Sequence, residues 1–120
     1  MLALPKGYRY AVEVRDRSLL GERLYSLLRE SGVALVLVDQ VFVPFVEEIT
    51  ADFVYVRWEG DRRKVNGTLG KVEADRTEDI RNWAEKTRSF LDSRIEVFRY
   101  FSKYYSGYPP ADAKQLLDFL

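Results

Sequence analysis

The sequence predicts an α/β fold in which parallel strands, joined by right-handed crossovers, curve into a barrel-type sheet. Two observations carry this reading. Strand-like segments alternate with helix-like segments along the 120 residues, and the strands set an apolar face against a face that bears charge. A doubly wound sheet would bury those charges under helices, at several kcal/mol each unless they are paired. A barrel packs its valine faces on helices and turns the other face inward, with polar groups near the C-terminal strand ends.

The first strand is YRYAVEVRD, residues 8–16, with Ala11, Glu13 and Arg15 opposite Val12 and Val14. In SLLGERLYSLLRESG, Leu20, Leu24, Leu27 and Leu28 recur at helical spacing. Ser18 is the candidate N-cap, and Gly32 sits where a C-terminal cap belongs. The second strand, VALVLVD at 33–39, is a continuous apolar run, as expected of a strand covered on both sides. The connection QVFVPFVEEIT, with Pro44, is too apolar for a freely solvated loop. The third strand, 52–59, places Val54, Val56 and Trp58 on one face and Phe53, Tyr55, Arg57 and Glu59 on the other. DRRKVNGTLGKVEAD reads as a long loop. After Thr77, the residues Ile80, Trp83, Ala84, Thr87, Phe90 and Leu91 form a helical stripe, with Glu78 and Asp79 in its first turn. The fourth strand, 95–101, leads through the tyrosine-rich SKYYSGYPP loop to a short amphipathic helix, ADAKQLLDFL. One domain is predicted over residues 1–120.

Composition narrows the chemistry. Cysteine and histidine are both absent, so thiolate nucleophiles, zinc–thiolate sites and imidazole bases are excluded. Nineteen basic residues balance nineteen acidic ones, so no global field favours nucleic acid. Nothing at the start resembles a signal peptide and no apolar run is long enough for a membrane span, which predicts a cytoplasmic location and no membrane partner.

Arg15, Asp16, Asp39, Arg57, Glu59, Ser102 and Lys103 all fall at or near C-terminal strand ends, the end that carries the chemistry in barrels. Asp39, Arg57 and Arg15 are expected on one rim. Glu13, Asp39 and Glu59 offer oxygen ligands for Mg²⁺ or Mn²⁺, but arginines on the same strands compete for them, so no metal site is predicted. Arg62, Arg63, Lys64 and Lys71 surround two glycines after the third strand. That loop is either a phosphate cradle or a charged mobile loop, and it lacks P-loop spacing.

The stretches YAVEVRDRSLL, GVALVLVDQ, TADFVYVRWEG, WAEKTRSFL and EVFRYFSKYYSGYPPADA resemble, in order and spacing, the second half of domain-of-unknown-function family 72, also called YecE-like. The resemblance covers roughly residues 8–120. It implies a TIM-type barrel of about 250 residues, of which this chain supplies four βα units of parallel sheet, half of the barrel. Glu13, Arg15, Asp39, Tyr55, Arg57 and Gly60 match the family pattern. Asp16 and Glu59 stand where the family usually has histidine, and Ser102 and Lys103 where it has an Asn pair.

The expected function is that of an uncharacterised half-barrel that binds an anion or small ligand and assembles into a larger barrel. Glu13, Arg15, Asp39, Tyr55, Arg57 and Lys103 are the expected ligand-binding residues. The alternative is a hydrolase- or isomerase-like enzyme, with Asp39 or Glu59 as base and Tyr55 as donor. No cofactor is identified. The two open edges of a four-strand sheet predict a homodimer, or a partner chain that completes the barrel.

Overall fold

β4 (Phe53–Gly60) forms where the strict alternation places it, and it is paired along both sides. The computed structural model describes residues 4–40 and 45–120. The remaining elements are β1 (Ala11–Val12), α1 (Glu22–Ser31), β2 (Ala34–Leu35), β3 (Leu37–Gln40), α2 (Thr77–Asp92), β5 (Glu96–Phe101), α3 (Lys103–Ser106) and α4 (Pro109–Phe119). All pairings are parallel: β1 with β2, and β3, β4 and β5 in that order. β2 and β3 belong to one extended run that changes partner at Val36. The Val36 N–H still donates to the Val12 carbonyl at 2.8 Å, whereas Leu37 already lies beside Val56. No helix among the described residues is long and apolar enough to cross a membrane.

Val54, Val56 and Trp58 point into the main core with Leu37, Ile80, Trp83, Ala84, Phe101 and Tyr105. Trp58 is fully buried. It stacks on Phe101 at 4.1 Å between ring centroids and meets the Trp83 ring edge at 5.4 Å. Aromatic pairs of this kind contribute about 0.5–1.5 kcal/mol beyond area burial. A second cluster, Tyr25, Leu28, Val33 and Leu35, joins α1 to β2.

Several expectations need correction. The first strand is two residues long rather than spanning 8–16. Its ladder lasts while the Tyr10 and Val12 carbonyls accept from Ala34 and Val36; beyond it Glu13 turns to Arg57 and Asp16 caps a 3₁₀ turn at Arg17–Leu19. Ser18 therefore lies inside that turn, and Gly21 precedes α1. Gly32 closes α1 in the left-handed region (φ 65°), as predicted. The expected four βα units are not all present among the described residues. Residues 45–52, after β3, carry neither helix nor strand, and Pro44 lies outside the described residues. Instead Phe45 packs edge-on against Trp83 at 5.2 Å, and the buried Thr50 hydroxyl donates to the Val33 carbonyl and accepts from the Leu35 N–H. Leu91 is half exposed rather than part of the buried stripe of α2. The SKYYSGYPP loop contains α3, which drives Tyr105 into the core.

The radius of gyration, 15.2 Å, exceeds the roughly 13–14 Å of a closed globule of this length. Among the described residues no helix covers the second face of the β3–β4–β5 sheet, where Phe98 and Tyr100 on β5 are 38% and 52% exposed.

Gly60 ends β4 at φ 75°, where an added Cβ would lie 2.3 Å from the Tyr104 carbonyl oxygen. Gly60→Ala is expected to cost more than about 2 kcal/mol, from strain plus the forced retreat of α3. Urea denaturation measures it; a loss within experimental error would show that the strand end and α3 can separate freely.

Candidate functional site

Opposite the core face, alternate residues of β4 project Tyr55, Arg57 and Glu59. Register sets Arg57 between Val38 of β3 and Tyr100 of β5. Its side chain crosses the sheet to Glu13, with Arg57 Nη1 donating to the two carboxylate oxygens at 2.6 and 2.9 Å. Arg57 Nη2 lies 2.5 Å from Glu59 Oε2. That contact is one of charge without hydrogen-bond alignment, so the buried Oε2 keeps unused acceptor capacity. Arg15 Nε donates to Glu13 at 2.9 Å, and Arg62 donates to Glu59 Oε1 at 3.1 and 2.8 Å. The result is a chain of alternating charge: Arg15, Glu13, Arg57, Glu59, Arg62. Its middle is shielded, with side-chain exposures of 17%, 22% and 11%, while Arg15 and Arg62 at the ends are 77% and 64% exposed.

Asp39 does not join this rim. It pairs in register with Trp58 and so points to the helix side, where its carboxylate accepts from Trp83 Nε1 at 3.2 Å. Arg15 and Arg57 meet only through Glu13. Tyr55 is half-buried on the Arg57 face. Lys103 is exposed at the start of α3, with its ammonium 5.2 Å from the Tyr104 ring centre. Among the described residues no group of three or more acidic side chains is arranged to hold a metal ion.

The loop after β4 is ordered from within. Glu73 accepts from the Asn66 and Gly67 N–H groups at 3.0 and 2.9 Å, which occupies the amides a phosphate cradle would need. Arg63 pairs with Asp61. Sequence reasoning missed Glu73, because a carboxylate seven residues downstream leaves no short-range pattern. It also missed Arg9, whose guanidinium stacks over Phe53 and Phe98 and reaches Glu96 at 2.5 Å.

Two carboxylates titrate in opposite senses. Burial works to raise the Glu13 pKa, but hydrogen bonds from Arg57 and Arg15 and their charges outweigh it and hold the carboxyl below its ordinary value. Burial raises Asp39, and the Trp83 hydrogen bond only partly offsets it. A depressed folded-state pKa gives Glu13 a stabilising contribution that is present above its unfolded value and lost as pH falls through the folded one. A raised pKa gives Asp39 a contribution present below its unfolded value and lost as pH rises through the folded one. Glu13→Gln is therefore expected to flatten the acid limb of the stability curve. Asp39→Asn should match or exceed the wild type at neutral pH, with the difference fading in acid. Denaturation series from about pH 3 to about pH 7 check both; identical curves for all three proteins would refute the assignment. Arg57→Ala leaves Glu13 and Glu59 facing each other. It is expected to cost about 1–3 kcal/mol at neutral pH, between an exposed pair and a fully buried one.

The chain matches the family described as "Protein of unknown function DUF72" over residues 1–120. No curated protein matches it. It is similar to the crystal structure of a DUF72 family protein from Thermotoga maritima MSB8, with 24% identity and a TM-score of 0.72, covering 92% of this chain and 45% of that one. It is also similar to a DUF72 family protein from Enterococcus faecalis V583, with 21% identity and a TM-score of 0.74, covering 94% of this chain and 49% of that one. The chain thus spans about half the length of the solved structures it matches, and their likeness is one of fold. With the family match running from end to end, and parallel strands and helices arranged as in both structures, this chain belongs to the DUF72 family.

Proposed function

We propose that this chain is a ligand-binding half of a larger TIM-type barrel, and that its ligand is a small oxyanion held at the rim formed by Arg15, Glu13, Arg57, Glu59 and Arg62. One observation carries the reading. Three guanidinium groups share two carboxylates, so three positive charges less two negative leave one positive charge over. That surplus is presented by the two exposed arginines, each with N–H donors beyond those its carboxylate uses. Arg57 holds the carboxylates in place and is itself doubly engaged, so it acts as a positioning residue.

The barrel half of the proposal draws on curvature and length. The sheet bends enough for Arg9, just before β1, to reach Glu96 at the start of β5. The outer edges of β1 and β5 have no strand partner among the described residues, and the solved relatives are about twice as long. The acid–base alternative draws less support: Asp39 lies on the opposite face and Glu59 is engaged by two arginines.

A thermal-shift screen tests the ligand reading with phosphate, sulfate and sugar acids, against chloride at equal ionic strength and against divalent cations. Oxyanions are expected to raise the melting temperature, since a ligand that binds only the folded state stabilises it. Arg15→Ala and Arg62→Ala remove mostly exposed side chains and should leave the fold intact. Each is expected to weaken the shift, and together they should abolish it. An undiminished shift in the double variant would sink the reading.

A further inference from the structure

We infer that a second copy of this chain closes the open sheet face, with β5 of each copy pairing in parallel with β1 of its mate about a two-fold axis that runs along the strands. The inference rests on the half-barrel reading above and names the partner. The hydrogen-bond parity of the two edges supplies the first argument. The Tyr10 and Val12 carbonyls accept from Ala34 and Val36. In a parallel ladder only alternate residues bond a given neighbour, so the peptide groups of Ala11 and Glu13 face away from β2. Just past the end of β5 the Ser102 N–H donates to the Trp58 carbonyl. By the same alternation Val97, Arg99 and Phe101 direct their N–H and C=O groups away from β4. Among the described residues two edges of one direction are thus left without a strand partner, each with donors and acceptors at every second residue. Open edges of this kind are templates for another strand. Rotation about an axis along the strands preserves their direction and brings each β5 edge to the other copy's β1 edge, so both pairs of edges close at once.

Charge supplies the second argument. The open face has already paired its ions within one copy: Arg57 with Glu13 and Glu59, and Arg9 with Glu96. Covering that face with its own copy leaves these pairs intact, the condition that keeps burial from being costly, while the surplus guanidinium charge stays at the exposed Arg15 and Arg62 ends of the rim. Zero net charge on the chain removes long-range repulsion between copies. Phe98 and Tyr100 bring apolar area to the join, on the strand whose edge is free.

Light scattering after gel filtration at micromolar concentration is the test. Wild type is expected at twice 14.1 kDa. Ala11→Pro and Arg99→Pro each delete an outward N–H while keeping the inner ladder, a position where an edge strand accepts proline. Both are expected to be monomers with unchanged far-UV circular dichroism. A wild-type monomer overturns the inference, and so does a dimer that survives both prolines. If either proline unfolds the chain, amide exchange decides. Val97 and Arg99 should exchange more slowly as protein concentration rises, and concentration-independent exchange overturns the inference. Binding of an apolar dye separates this outcome from failure of the half-barrel reading. A monomer that binds the dye keeps an open face meant for another chain, whereas a monomer that does not bind it removes both readings.

Discussion

Because β4 is paired along both sides, it cannot rotate about its axis to relieve either face, and its alternate side chains are committed in opposite directions. Trp58 must then sit in the core, where it contacts Phe101, Trp83 and Tyr105. Arg57 and Glu59, its two sequence neighbours, must face the other way. A one-residue slip would bury a guanidinium under α2 and expose an indole, so the packing of Trp58 and the placement of the charged rim are one constraint. Gly60 ends the strand with a positive φ that lets α3 close over it, which in turn delivers Tyr105 to the same core.

That constraint puts an arginine on a half-covered face, and the molecule answers by surrounding it. Glu13 comes from the segment after β1, far off in sequence, and Glu59 from the same strand two residues on. Each carboxylate then takes a second arginine from solvent-exposed chain. The same internal settlement appears in the loop after β4, where Glu73 engages two backbone N–H groups. Desolvation is thus countered at each step by a local partner, and the unused N–H donors lie at the exposed ends of the network.

How much of this was legible varies with the range of the interaction. The division of β4 into a core face and a charged face follows from period-two alternation alone, as does the buried stripe of α2 from its 3.6-residue spacing, up to Leu91. Gly32 was readable as a cap because only left-handed backbone fits there. The misjudged features depend on partners distant in sequence. β1 looks like a nine-residue strand, yet its neighbour leaves it at Val36 for β4, and no local pattern encodes that change of partner. Asp39 looked like a rim residue because it ends a strand. Which face it takes depends on its register with Trp58, and the continuous apolar run of 33–39 carries no alternation from which to read that.

Glu59 and Ser102 show how positions along the rim and the adjoining strand end are committed to the fold. The family pattern that this chain resembles usually has histidine at the Glu59 position, a group able to exchange a proton near neutral pH. The glutamate here instead sits between Arg57 and Arg62 as their shared ion-pair partner. Ser102, where the pattern has asparagine, spends its hydroxyl accepting from the Tyr104 N–H at the start of α3. In this chain both positions are engaged in holding structure. What the rim holds is fixed charge, with guanidinium N–H donors left over at its exposed margins.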